Sequence, residues 1–524
     1  MLEQLLISIR NFGFKLNTSL VLALVVTVAL IYFGLLHPFL YGRLHHVPGP
    51  WYSNFSSIPL AFQEFSYNRC DKVLQWHRQY GPVVRIAPNE VSVCTLPDIK
   101  QVYGSSHRWA KSSYFDHFLG YGSRSVFATK SYEEHRAKRK LTALFYRATT
   151  VYKSPELEKH IQERSRALLD QVRGGHETDV YRLTDWFALD NITFLVLGPD
   201  HCTRSVDNDC VERRLLRDLK YDQFVQPFRV RFPQVCKQAS VLLASIWNRR
   251  FGFLMANDAV ASWCQSRFQI AANDPCLTQT HSLLRHLCDA DGARSGNKKS
   301  PDLQYIAAEV LDNINAAEAT VAVTATYLIW RLTESPHWQR RIRAELSRLP
   351  VEEDGSLAFE HVNNHVPSLE ACLREVYRLH PASSGRAERV VPPEGHDLSG
   401  IFLPEDTIVT ASVQTLHHDE EVYPRPDVFS PGRWLDQDEE EWKLRDAQLI
   451  PFGHGGRVCL GKALATMELK LLMATLYRSH ESIMTPSSSA ASMRQSSTHD
   501  AVPEGLKCVV RFQCVDTASS SMSD

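Results

Sequence analysis

The sequence predicts a mainly helical protein with minor sheet. One large domain is expected over residues 47–515, behind an N-terminal membrane anchor in residues 1–46 and ahead of a disordered tail in 516–524. Three observations predict it. Apolar residues recur at helical spacing over most of the chain, runs with strand character are short and few, and one long charge-free apolar stretch stands near the start. A length of 524 residues allows one large domain with a substantial core, and 58 basic against 59 acidic side chains give a net charge of -1. That balance carries no electrostatic footprint for nucleic acid, which is therefore not expected as a partner. The 12 cysteines are scattered without a C-x-x-C pair, so reduced thiols are expected rather than a zinc module or a disulfide framework.

Taking the elements in order, Leu20 to Leu36 (LVLALVVTVALIYFGLL) contains no charge and approaches the ~20 apolar residues that span a bilayer. A cleaved signal peptide would have a shorter apolar core and a small-residue cleavage site. Here His37-Pro38, Arg43, His45 and His46 follow instead. An uncleaved transmembrane helix at about residues 20–40 is expected. Arg10 and Lys15 nearly balance Arg43, so charge does not fix its orientation. Leu2 to Phe14 is expected to lie along the membrane surface, and Val47-Pro48-Gly49-Pro50-Trp51 breaks any helix at the exit.

Within the large domain the extended candidates are Val83 to Ile86, Val91 to Cys94, Ile408 to Val413 and Cys508 to Phe512. Asp291 to Ser300 (DGARSGNKKS) reads as a polar linker. It leads into Pro301 at the first turn of a helix capped by Ser300 and continuing through Leu332. Ser368 to Leu379 is an amphipathic helix with Leu369, Cys372, Leu373, Val376 and Leu379 on one side. Asp436 to Glu441 reads as a solvated acidic face, and serine-rich Ser487 to Ser497 as a loop.

The most informative segment is Pro451-Phe452-Gly453-His454-Gly455-Gly456-Arg457-Val458-Cys459-Leu460-Gly461-Lys462, followed by a helical pattern from Ala463 to Leu476. Three readings compete. Gly456 through Lys462 fits the phosphate loop of a nucleotide hydrolase, but Ala463 stands where that loop needs a hydroxyl and no clear strand precedes it. Cys459 could be a buried structural thiol. Alternatively, glycines keep the backbone open and Cys459 sits at a helix N-terminus, where free amides favour a thiolate able to bind iron. Arg457 would then neutralise a nearby anion.

Phe452-x-x-Gly455-x-Arg457-x-Cys459-x-Gly461 resembles the haem-binding loop of the cytochrome P-450 family at every fixed position. Further pieces fall in the family's order. Glu375-x-x-Arg378 resembles its core ion pair, and Arg433 in Tyr423-Pro424-x-Pro426-x-x-Phe429-x-Pro431-x-Arg433-Trp434 resembles the third partner. His135, Arg139 and Arg389 stand where the family places groups for the haem carboxylates. His417-His418-Asp419 matches a family turn, so no second metal is expected. Tyr80 to Glu90 is similar to fungal members of secondary metabolism.

The resemblance implies the cytochrome P-450 fold, with haem b (iron protoporphyrin IX) on Cys459 as axial ligand. It also implies an oxidoreductase that uses O2 to hydroxylate or otherwise oxidise a lipophilic small molecule. No flavin or nicotinamide fingerprint is present, so electrons are expected from a separate NADPH-dependent flavoprotein reductase. Attachment to the endoplasmic reticulum with the domain facing the cytosol is expected by the same analogy.

One departure stands out. The family usually shows Ala/Gly-Gly-x-Asp/Glu-Thr-Thr, and this chain reads Asn315-Ala316-Ala317-Glu318-Ala319-Thr320. Ala319 replaces the usual Thr, and a one-residue shift turns a side chain by about 100°. Glu318 and Thr320 are the proton-handling candidates, with ordered water or a substrate hydroxyl as further routes. The departure also keeps open a haem-thiolate isomerase or dehydratase that needs no O2. Tyr114 to Tyr121, Leu219 to Val235, Asn313 to Ala317, Ala382 to Gly385 and Ser496 to Val502 are expected to border the substrate.

Overall fold

The computed structural model describes residues 19–29, 32, 40, 42–246, 252–279, 281–294, 302–383, 386–435 and 438–515. The predicted class holds: helices dominate, and three small sheets decorate them. The centre is the helix Leu303–Thr333, 31 residues long and buried on most sides. It packs most extensively on Val180–Leu197, another helix that is buried nearly all round. A helix buried on most faces belongs inside a core, and here these two form its middle. Lys462–Tyr477 and Pro367–Leu379 close around the same core.

The largest sheet orders Val83–Ala87, Glu90–Val93, Ile408–Ala411, Arg389–Val390 and Ala110–Lys111. Its first pair is antiparallel, with Val83 opposite Val93, while Glu90–Val93 runs parallel to Ile408–Ala411. A second sheet pairs Val509–Cys514 with both Glu177–Asp179 and His480–Met484. All four extended candidates therefore contain strands. Ile408 to Val413 is the exception in its ending: the strand stops at Ala411 and a short helix, Val413–His417, begins, with Ser412 Oγ bonded to Thr415 Oγ1 at 2.7 Å.

Other boundaries move too. Asp291 to Arg294 belongs to the helix Leu283–Arg294 rather than to a linker. The long helix is capped by Asp302, whose carboxylate accepts the Tyr305 N–H at 3.0 Å; Ser300 and Pro301 lie outside the described residues. Glu439–Gln448 is helical with exposed acidic residues in its first turn, as a solvated face requires, and residues 436 and 437 lie outside the description. Residues 485–497 are turns and loop, and the predicted tail 516–524 lies outside the described residues.

Of the predicted anchor, residues 19–29 are helical and mostly exposed, and residues 32 and 40 are also described. The rest of the span and the Leu2 to Phe14 stretch lie outside the described residues. Among the described residues no helix is long and apolar enough to cross a membrane. The packed body starts slightly before residue 47, because Leu44 and Val47 are both buried in the cluster under the largest sheet. Buried Arg85 fastens this entry segment. Its guanidinium donates to the carbonyls of Leu44, Val47 and Pro50 at 2.8, 2.7 and 3.3 Å and to Ser53 Oγ at 3.0 Å. Gly49 is required there, since a Cβ would stand 2.4 Å from the Arg85 carbonyl oxygen.

Candidate active site

The scaffold of the site is the amphipathic helix Pro367–Leu379, which starts on a proline at a position where no N–H is needed. Glu375 and Arg378 are both fully buried and paired at 2.7 and 3.0 Å through two oxygens. Arg433 Nε reaches Glu375 Oε1 at 3.2 Å, which joins the three residues foreseen from the sequence. Trp434 Nε1 adds a bond to Oε2 at 2.9 Å and the Ser430 N–H one to Oε1 at 3.0 Å. Arg378 spends its other N–H groups on the carbonyls of Pro426 and His417, at 2.6 and 3.0 Å. Charges this deep are tolerable only with every donor and acceptor matched, and here they tie the 417–434 segment to the helix.

His417 belongs to this scaffold and not to a metal. Its Nε2 accepts the Ile450 N–H at 3.1 Å, so its proton sits on Nδ1 and points to the Arg378 carbonyl at 3.2 Å. Burial, then the Arg378 charge, holds its pKa down at about 3. Among the described residues no group of three metal-ligating side chains converges.

The Cys459 loop is closed by its own backbone. The Cys459 N–H donates to the Phe452 carbonyl at 2.9 Å, and Gly455–Arg457 forms a single tight turn. Gly455 has φ +73, and a Cβ there would lie 2.1 Å from the Tyr103 carbonyl oxygen. Gly461 caps the Lys462–Tyr477 helix. Phe452 packs edge-on against Tyr377, ring centroids 5.1 Å apart. The phosphate-loop reading does not survive this geometry: the amides of Val458 and Cys459 are spent on carbonyls, and helix and turns, not a strand, precede the glycines.

Cys459 is exposed, though its sulfur lies deep among protein atoms. Burial pushes the thiol pKa up. The amides of Gly461 and Lys462 and the Arg139 charge oppose that without cancelling it. An iron ion bound to the sulfur would favour its thiolate form.

Above the loop, positive charge accumulates. The Arg457, Arg389, Arg139 and Lys111 charges act on one another or on the neutral His135 imidazole between them. His135 is pushed to about 3 by burial and then by Arg457 and Lys111, and Arg457 is pulled to about 9 by burial and then by Arg389. Among the described residues none of these cations forms an ion pair with a carboxylate; Asp312 is the acid that acts on Lys111. Arg457 donates to the carbonyls of Thr129 and Lys130 at 2.7 and 2.8 Å, and its Nε is buried without a partner. Buried and half-buried cations without ion-pair partners around a thiol fit a group that brings two carboxylates and a metal ion. Haem is such a group, so the residues present fit it. Lys111 was not foreseen from the sequence, where a lone lysine in a two-residue strand carries no signal.

On the other side stands the Leu303–Thr333 helix. Tyr146 donates to Asn313 Oδ1 at 2.6 Å and also feels the Cys459 thiol, so helix and loop flank the same tyrosine. Ala316 is exposed, and Thr320 donates to its carbonyl at 2.8 Å. Glu318 points elsewhere. It is buried, and two adjoining cavities share it as lining. Burial, then the Asp185 carboxyl, holds its pKa well above the usual range. The structure therefore separates the two proton-handling candidates. Of the expected substrate segments, 219–235, 313–317 and 496–502 contribute to these cavities. Tyr114 approaches His499 at 3.4 Å instead, and residues 384 and 385 lie outside the description.

Comparisons with known proteins agree with this geometry. The family model described as Cytochrome P450 matches residues 48–500. The chain is 35% identical over 520 residues to the cytochrome P450 monooxygenase FGM1 of Gibberella zeae, covering 97% of this chain and 99% of that one. It is 26% identical over 504 residues to a cytochrome P450 monooxygenase of Aspergillus terreus, covering 91% and 97%. With the cytochrome P450 monooxygenase hkm5 of Aspergillus hancockii it shares 27% over 484 residues, covering 89% and 90%.

Proposed function

The chain belongs to the cytochrome P450 family of haem-dependent oxidoreductases, and from that premise we propose that it is a membrane-anchored monooxygenase. Its substrate is then a lipophilic small molecule, an intermediate of fungal secondary metabolism, and its electrons come from an NADPH-dependent flavoprotein reductase. The observation that carries the reading is the Cys459 thiol beside a set of buried and half-buried cations that form no ion pair with a carboxylate among the described residues. Cys459 would hold the iron, and Arg457, Arg389, Arg139 and Lys111 the haem carboxylates. When bound, the haem supplies dioxygen activation and oxygen insertion. The chain's own residues do the rest: the Glu375 network ties the 417–434 segment to the helix beside the loop, apolar side chains such as Leu216, Val260, Trp263 and Ile314 exclude water, and Glu318, held well above the usual carboxylate range, handles protons.

Membrane attachment, at the endoplasmic reticulum with the domain in the cytosol, is supported by exposed apolar side chains beyond the N-terminal run. Ile58 (75% exposed) and Phe62 (63%) lie on the helix Ile58–Phe65, and Val235 (66%) and Leu242 (58%) on Pro233–Ile246. Phe65 stacks at 4.2 Å on Phe228 of the short helix Gln226–Arg231, which packs on both of these helices. A lipid surface would cover such a patch.

The reduced carbon-monoxide complex tests the reading directly. It should show the shifted Soret band of a haem thiolate, and Cys459→Ser should remove it. Product formed under labelled dioxygen should gain one labelled oxygen; full turnover without oxygen or reductant would instead support an isomerase or dehydratase.

A further inference from the structure

Residues 223–232 form a strap on the body. It contains the short helix Gln226–Arg231, which packs on Ile58–Phe65 and on Pro233–Ile246, the two helices with exposed apolar side chains. Among the described residues its backbone–backbone hydrogen bonds are all local, reaching no further than Leu219 on one side and Cys236 on the other. Side chains therefore fasten it, and a segment so held can swing without breaking a sheet ladder or a long helix. Phe228 stacks on Phe65 at 4.2 Å. Tyr67, whose φ of +54 is uncommon for a residue with a side chain, donates its hydroxyl to the Phe224 carbonyl at 3.0 Å. Gln223 donates to Asp500 at 2.5 Å, and both line the cavity that reaches Glu318 on the central helix.

One fastening carries charge across the gap. Arg229 is spent locally, on both oxygens of Asp222 at 2.6 Å and on the Leu254 carbonyl at 3.3 Å. Arg231 instead reaches out of the strap, with Nε and Nη2 both 2.9 Å from Glu64 Oε2. The other Glu64 oxygen faces Arg386 at 3.3 Å and Arg69 at 3.7 Å. Those two arginines also meet Glu90, at 3.2 and 3.1 Å, and Arg386 meets Glu388 at 2.6 Å. Glu64, Glu90 and Glu388 are all buried. Against burial, which would raise it, the charges of Arg386, Arg69 and Arg231 hold the Glu90 carboxyl below its ordinary value. With Arg231 seated, three guanidiniums serve three carboxyls; with it lifted, two must serve the same three. An exposed ion pair would contribute little, but a charge withdrawn from a buried set leaves the remainder uncompensated.

We propose that the Arg231–Glu64 pair is the latch of a substrate gate, in which the strap swings off the helix Ile58–Phe65 to admit a lipophilic molecule and shuts when Arg231 returns to Glu64. The inference rests on the monooxygenase reading and adds to it how the substrate enters. Exposed Phe62, Phe232 and Val235 surround the seam, so the gate opens on the apolar face. Behind it stand Tyr114, which takes a bond from Gln226 at 3.5 Å, and the Gln223–Asp500 pair beside the central helix.

Stopped-flow binding of 4-phenylimidazole to the ferric, haem-loaded full chain tests the latch through the shift of the Soret band. A gate shared by the free and the bound protein scales entry and exit together. Arg231→Met should therefore raise both rate constants about tenfold and leave Kd within about twofold. Arg231→Lys keeps the charge and should stay near the parent. Raising salt from about 0.05 to about 0.5 M should speed entry in the parent and not in Arg231→Met, because screening weakens only a latch that is present. Phe228→Ala removes the stacked ring on the same helix, should act in the same direction, and decides alone if Arg231→Met does not fold. Carbon monoxide, small enough to pass a shut strap, should bind the ferrous protein at an unchanged rate. Unchanged 4-phenylimidazole rates, a change in one rate constant alone, or equal acceleration of carbon monoxide overturns the latch. A chain with the haem-thiolate band but one of those results refutes only this inference; a parent chain without the band refutes the monooxygenase reading and the gate with it.

Discussion

Thr320 donates its hydroxyl to the carbonyl oxygen of Ala316, 2.8 Å away and one turn back in the same helix. That bond is internal to the helix and occupies the hydroxyl proton. Thr320→Ala should therefore change product formed per NADPH by less than about twofold. Glu318→Gln keeps the shape but has no proton to release, and should lower coupled turnover by up to about 10²-fold. Loss of coupling in the threonine variant with full coupling in the glutamate variant would reverse the assignment.

Glu375→Gln leaves the Arg378 and Arg433 guanidiniums without their anion inside the protein. Urea unfolding should show a loss of about 3–5 kcal/mol, the usual result of breaking a buried pair from one side. A variant as stable as the parent would mean that the network contributes nothing to the fold.

The buried cations repel one another and await carboxylates. Arg389→Met should release haem about tenfold faster, followed by the decay of the Soret band. It should also let the His135 pKa rise, because Arg389 is among the charges that hold it at about 3. Unchanged haem loss would exclude Arg389 from carboxylate binding.

Gly455→Ala places a Cβ against the Tyr103 carbonyl in a backbone conformation that favours glycine. A cost of about 1–3 kcal/mol and reduced haem content are expected. Gly432→Ala is the control, since nothing lies within 4 Å of its added Cβ.

Burial depresses three further histidines: His77 to about 4, His160 and His417 to about 3. Unfolded, each titrates near 6.5. Below that pH the unfolded chain binds protons that the folded chain refuses. Their contribution is therefore intact above pH 6.5 and lost as pH falls toward 3–4, at up to about 1.4 kcal/mol per pH unit for each. Urea melts at pH 7, 6 and 5 should show this slope, and His77→Gln should flatten it.

The legible parts of the sequence were those in which neighbours in the chain are neighbours in space. The amphipathic helix carrying Glu375 and Arg378, the Cys459 loop and the four extended segments all depend on local spacing. Arg433 was reached through a motif resemblance, whereas Trp434 on the same carboxylate was not, because an indole beside an arginine reads simply as core. Local spacing also misplaced the cap of the long helix: Ser300 and Asp302 are both good caps, and the choice between them depends on which residue leaves the helix first. The environment of Glu318 was invisible, since Asp185, Lys220 and Asp500 converge on it from segments far apart in sequence.

The Arg85 clamp sets a practical limit on shortening the chain. Removing everything before Trp51, to rid the protein of its apolar leader, would strip away three of the carbonyls that receive this guanidinium. A buried cation in the middle of the strand Val83–Ala87 would then keep only Ser53 Oγ of these acceptors. A form trimmed to begin before Leu44 keeps those acceptors, so the cut that discards the leader and spares the folded body falls ahead of Leu44 rather than at the proline-rich break.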